Sequence, residues 1–279
     1  MPSGPRKLGL IGRVTAAFNG FNDNHQAIHA GHIAFVALLS LFPFLIVIVA
    51  SAGLVGTTEA AREVVALALE QVPHDVGAVL GPVAIEVIDA PRRGALTIGL
   101  VGALWAASTG FEALRYAFDR AYGVEQPRQM WWARLQSLGL TILFAFVTLM
   151  AALSVLVVPR LLQVAASILD RPQWAAPTVP WFANLMVFAL LVIMTAALFK
   201  TLPFRRLRWG EVMPGAVFTV LGWALAVRAF ELYLTHVAIY SLTYGSLGGV
   251  VATLMFFYIA AAVLLFGCEL NAAGYRAAA

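Results

Sequence analysis

Five stretches of this chain, at about 33–55, 135–158, 181–202, 212–234 and 247–268, each run for more than 20 residues with almost no charge. The hydrocarbon layer of a bilayer is ~30 Å thick, and ~20 apolar residues cross it as a helix. A helix satisfies its own backbone donors and acceptors, which lipid cannot do. Each stretch therefore reads as a membrane-spanning helix. A sixth, 94–111 (GALTIGLVGALWAASTGF), is shorter and rich in small residues, and it is taken as a span as well.

Composition points the same way. The 279 residues are 61% hydrophobic and 11% charged, whereas a soluble domain carries about 25% charged residues. So few charges cannot cover the surface of a water-soluble globule of this size. The expected fold class is all-α, a polytopic bundle of six transmembrane helices forming one membrane domain over 1–279.

Lys and Arg are distributed unevenly between alternate loops. One side holds Arg6, Lys7, Arg13, Arg115, Arg120, Arg128, Arg134, Lys200, Arg205, Arg206, Arg208 and Arg276, and the other only Arg62, Arg92, Arg93, Arg160 and Arg171. Positive loops stay inside, so both termini are expected in the cytoplasm. The net charge of +4 is thus a topology signal, and no nucleic-acid partner is expected. No signal peptide is expected at the N-terminus, and the single Cys268 excludes an internal disulfide.

The outer loop between the first two spans, 56–93, carries two amphipathic pieces, Ala60–Leu69 and 81–90, bounded by Pro73, Pro82 and Pro91. They are expected to form a helical cap outside the membrane. Trp131, Trp132, Trp209 and Tyr275 fall near one set of span ends, and Trp174, Trp181, Tyr233 and Tyr240 near the other, as interfacial belts do.

Four ionisable residues stand out. Arg228 and Glu231 lie three apart in the fifth span, either as a snorkelling pair or as the lining of a polar cavity. Glu112 and Glu269 sit at cytoplasmic span ends, as gating carboxylates or as anchors against neighbouring arginines. His25, His29 and His32 have the i, i+4, i+7 spacing of one helical stripe. Without a nearby cysteine or second carboxylate, interfacial packing is preferred there to a metal, and no metal or cofactor is expected.

Pro43 should kink the first span, with Ser40 near the freed carbonyl of Leu39. The glycine-rich YGSLGG at 244–249 looks at first like a phosphate cradle. It lacks the Lys-Ser/Thr pair of a P-loop and the strand and spacing of a dinucleotide fold. Gly245 and Gly249 instead form a small-xxx-small pair, as hinge or close-packing face, with Ser246 as N-cap of the sixth span.

Four segments, AFVALLSLFPFLIVI (34–48), LWAASTGFEALRYAFDRAYGVE (104–125), LFKTLPFRRLRWGEVMPGAVFTVLGW (198–223) and YSLTYGSLGGVVATLMFFYIAAAVLLFGCELNA (240–272), resemble the YihY/BrkB family of bacterial inner-membrane proteins, formerly misnamed ribonuclease BN. The resemblance runs from the first span to the C-terminus. It implies six spans and an inner-membrane location, brings no catalytic residues, and includes neither Arg228 nor Glu231 in a motif. Family members have been tied to serum resistance, and transport of lipid or small solutes has been proposed for them.

A nuclease is not expected, because the cytoplasmic loops are too short for a domain and their carboxylates lack metal-ligand spacing. The expected function is a transporter or flippase for a lipid or other amphipathic solute, with a non-transporting scaffold of envelope assembly as the alternative. Membrane lipid is the expected partner, together with a lipid or solute substrate. A homo-oligomer stays open.

Overall fold

The computed structural model describes residues 9–55, 95–124, 134–143, 172–236 and 247–278, with isolated helical positions at 62, 66, 81, 82, 85, 131 and 132. The expected outer cap thus falls mostly outside the described residues, as do Gly245, Ser246 and the second half of the 135–158 span.

Among the described residues every regular element is helical. The helices are α1 (Leu10–Asp23), α2 (Gln26–Val55), α3 (Ala95–Ala121), α4 (Pro172–Thr201), α5 (Trp209–His236) and α6 (Leu247–Ala278); a further helical stretch covers 134–143. Most helices overrun the apolar stretches that announce them. α3 continues ten residues past the expected end at 111, and α6 ten past 268. Hydropathy marks where lipid contact stops, whereas backbone hydrogen bonding continues until a terminator intervenes.

The terminators are local. α3 ends at Gly123, whose φ of +65° is the left-handed conformation glycine adopts freely. The amides of Gly123 and Val124 then reach back to the carbonyls of Arg120 and Asp119 at 3.1 and 2.9 Å, a Schellman closure. Pro203 follows the end of α4. α5 opens with Glu211 accepting the backbone N–H of Arg208 at 2.7 Å, the returning half of a capping box.

α1 was not expected, since its sequence LIGRVTAAFNGFND has no apolar core. Ala16, Ala17 and Gly20 nonetheless make one small-residue face, and α1 lies along the C-terminal half of α6 on it, with Ala17 against Leu270 and Ala273. His25, with φ of +54°, turns the chain from α1 into α2.

α6 is the central element, touching α1, α2, α3 and α5. At its crossing with α5, a Cβ on Gly215 would collide with the carbonyl of Gly267, and one on Gly267 with the hydroxyl of Thr219. Higher up, a Cβ on Gly222 would stand 2.6 Å from Val263 Cγ1. Pro214 has no N–H to give the Gly210 carbonyl, and beside it Asn271 of α6 hydrogen-bonds the α5 backbone. Its Oδ1 accepts the Gly215 N–H at 2.7 Å, and its Nδ2 donates to the Val212 carbonyl at 3.1 Å. α2 runs through Pro43 as one helix to Val55, and the Ser40 hydroxyl donates to the Val36 carbonyl at 2.7 Å rather than meeting Leu39.

Apolar side chains fill the core and also cover much of the outer face, while several polar groups lie inside. Thr195, Thr219, Thr253, Gln26, Glu269 and Asn271 are buried, whereas Leu225 is 71% exposed and Leu221 55% on the outer face of α5. Water would penalise that arrangement and lipid favours it. Trp209–Tyr233 and Gly248–Ala277 are long and apolar enough to cross a membrane, and Gln26–Ser40 and Leu185–Thr201 are shorter apolar stretches.

Candidate functional site

The most concentrated chemistry lies where the α1–α2 turn, the end of α3 and the C-terminal half of α6 meet. Its centre is Glu269, whose side chain is 0% exposed. One carboxylate oxygen, Oε1, accepts hydrogen bonds from Asn24 Nδ2 at 2.7 Å and Gln26 Nε2 at 2.9 Å. The other, Oε2, receives Arg276 NH2 at 3.3 Å. Gln26 is fully buried too and also donates to the α3 backbone at Ala117, 3.1 Å away, while its own Oε1 has no partner. Gly20 makes room: a Cβ there would run into Glu269 Oε2 and stand 3.0 Å from Arg276 NH2. A carboxylate on the central helix is thus held by two amides from the α1–α2 hairpin and one half-exposed guanidinium.

Beside it the loop 202–208 ties α3 to α6. Asp119 Oδ1 accepts the Phe204 N–H at 2.6 Å, and Arg205 Nε donates to the Tyr275 hydroxyl at 3.0 Å with its guanidinium over that ring. Arg205 NH1 also reaches the Tyr122 carbonyl at 3.4 Å. The Tyr122 hydroxyl is buried without a hydrogen-bond partner, and burial pushes that phenol well above its ordinary range.

The other candidates are scattered. Glu112 pairs with Arg134, NH1 standing 2.8 Å from Oε1 and 2.9 Å from Oε2, and the same guanidinium lies 4.1 Å over the Trp105 ring. Arg228 and Glu231 pair with each other at 3.0 Å on the outer face of α5, with side chains 80% and 52% exposed. Arg228 with Glu231, Glu112 and Glu269 thus occupy three separate places. His25 sits in the turn before α2, and His29 packs edge-on against Tyr116 at 5.3 Å, so the three imidazoles do not share a helix. Among the described residues no three His, Cys, Asp or Glu side chains gather as metal ligands would. Gly249 lies in the first turn of α6, its carbonyl accepting the Thr253 hydroxyl at 2.7 Å.

Reading from sequence missed Asn24, Gln26 and Asn271. Each is an amide at or near a helix end, and nothing local marks it as facing inward. The signal for Gln26 was weak but present: it stands four and seven positions before Ala30 and Ile33, the buried apolar residues of the same stripe.

The helical architecture of the described residues, their lipid-favouring surfaces and apolar helices are those of a helical membrane protein. The Virulence factor BrkB family model matches residues 17–279. The chain is 33% identical over 249 residues to YfkH of Bacillus subtilis strain 168, whose name calls it ribonuclease-like, spanning 87% of this chain and 88% of that one. It is 24% identical over 260 residues to the UPF0761 membrane protein PSHAa0171 of Pseudoalteromonas translucida, covering 90% and 81% of the two chains. A UPF0761 membrane protein of Pseudomonas aeruginosa strain PAO1 is 30% identical over 182 residues, 61% of this chain and 41% of its own length. No solved structure matches. The chain belongs to the BrkB family of membrane proteins.

Proposed function

We propose that this protein is a six-span transporter or flippase of the bacterial inner membrane, with cytoplasmic termini, acting on a lipid or other amphipathic solute. The observation that carries the reading is the buried Glu269 network. An ionisable group on the innermost helix of a membrane bundle marks a pathway by default. Its ties to Asn24, Gln26 and Arg276 all depend on the carboxylate. Beneath them α1 packs on α6 through Ala16 and Ala17 against Phe266, Leu270 and Ala273, with Phe21 beside Phe266. Changing the charge at 269 therefore loosens the α1–α2 hairpin from the central helix, which is how a gate would work. The outward-facing Arg228–Glu231 pair gives this reading no support, and its place is taken by Glu269.

The test is a headgroup-accessibility assay in liposomes holding wild type, Glu269→Gln, Arg228→Gln or Glu231→Gln. Transport predicts redistribution above protein-free liposomes, changed several-fold by Glu269→Gln and unchanged by the other two. Equal redistribution with and without wild-type protein would sink it. The second reading, a non-transporting scaffold of envelope assembly, draws on the α5–α6 crossing, whose Gly215–Gly267 contact leaves little room for sliding; it predicts that null result.

A further inference from the structure

The short loop 202–208 between α4 and α5 holds more positive charge than the residues around it answer. It is fixed to the bundle at several points. Leu202, Pro203 and Leu207 are buried. Asp119 Oδ1 accepts the Phe204 N–H, and Arg205 is tied to the Tyr275 hydroxyl and the Tyr122 carbonyl. Glu211 accepts the backbone N–H of Arg208. Both carboxylates beside the loop therefore meet its backbone. Arg206 and Arg208 are exposed, and neither guanidinium has an ion pair among the described residues.

The depth of the loop says what answers them. α4 is apolar over Leu185–Thr201, and α5 is long and apolar enough to cross a membrane from Trp209 to Tyr233. A connection this short, with three of its side chains buried, stays where hydrocarbon gives way to headgroups. Trp209 is half exposed, with Lys200 Nζ standing 4.3 Å over its ring, and Phe204 is uncovered as well. Aromatic side chains gather at that level of a bilayer. A guanidinium there meets phosphate, which its fork of N–H groups binds through paired, charge-assisted hydrogen bonds. Four cations, Lys200, Arg205, Arg206 and Arg208, stand against two carboxylates, Asp119 and Glu211. A zwitterionic headgroup leaves that excess unmet, and an anionic one answers it.

We propose that the α4–α5 loop is a headgroup site for an anionic phospholipid, with Arg206 and Arg208 on its phosphate and Phe204 and Trp209 at the start of its acyl chains. The site rests on α4 and α5 both spanning the membrane. It is separate from the Glu269 network and does not depend on transport, which the liposome assay reads independently.

The test is native mass spectrometry of the full-length protein in detergent, titrated with dioleoyl-phosphatidylglycerol or dioleoyl-phosphatidylcholine. Arg206→Gln and Arg208→Gln are each expected to weaken phosphatidylglycerol binding about fivefold, and the double variant about twenty-five-fold. Phosphatidylcholine binding should be the same in all of them. The double Arg206→Lys, Arg208→Lys variant keeps the charge and controls for folding; it retains most of the affinity, and Arg228→Gln retains all of it. Equal phosphatidylglycerol binding by wild type and the double Gln variant overturns the proposal. An equal loss for both lipids overturns it too, since the contact would then not read headgroup charge. So does displacement by inorganic phosphate at comparable concentration, which would mean a site for the anion alone.

Discussion

A carboxylate out of reach of solvent is tolerable only when its charge is matched, and at position 269 the match is spread over four residues. Gly20 is the least obvious of them, since it contributes only an absence. Gly20→Ala is expected to push the carboxylate off Arg276 and lower stability by about 1–3 kcal/mol, read as a drop in melting temperature in detergent. Gln26→Leu should cost a similar amount, because it leaves both Glu269 and the Ala117 carbonyl short of a donor. Tyr122 runs the other way. Its buried hydroxyl is unpaired, so Tyr122→Phe should hold or raise the melting temperature; a fall of several degrees would mean that the hydroxyl has a partner after all. Burial keeps that phenol neutral through alkaline pH, so it adds no charge beside Asp119 and Glu269.

Between elements, the contact that most limits movement is the crossing of α5 and α6. Gly267→Ala places a methyl against Thr219 and 2.8 Å from the Gly215 carbonyl. A backbone oxygen cannot rotate away, so Thr219→Ala should not rescue the loss, which a thermal scan of the single and double variants would show. Asn271→Ala removes both side-chain bonds to the α5 backbone beside Pro214 and is expected to cost about 2–3 kcal/mol. Much at this scale was readable in advance. The long apolar runs located α2, α4, α5 and α6, and the small-residue run located α3, because one apolar residue after another can only be a buried or lipid-facing helix. The 3.6-residue alternation of α1 escaped notice because its inner face is made of Ala and Gly, which carry little hydropathy. Gly215 and Gly267 were equally silent, since a glycine that admits a neighbouring backbone has the same letter as one in a turn.

Over the whole molecule, exposure decides which charged groups matter. Arg228 and Glu231 looked most eventful in the linear chain, two charges inside an apolar run. The fold turns both outward and pairs them. Exposed ion pairs contribute at most about 1 kcal/mol. Charge-neutral variants of either are expected to leave melting temperature and lipid redistribution within error of wild type. A clear loss in either measurement would return the pair to the functional site. Glu269, by contrast, looked like an ordinary charge at a helix end.

The sequence by itself determined the solvent and the class of fold, because hydropathy summed over twenty residues is a local quantity that no later packing can reverse. It also determined family membership, through motifs that survive in order along the chain. Only the tertiary structure decided which polar groups are inside. Asn24, Gln26, Glu269 and Arg276 lie up to 252 positions apart, Asn24 and Arg276 at the extremes, and they become one site because α1 folds back along α6. Burial depends on what every other element covers, so the same glutamate could have been a surface anchor or the centre of the bundle until the helices were placed.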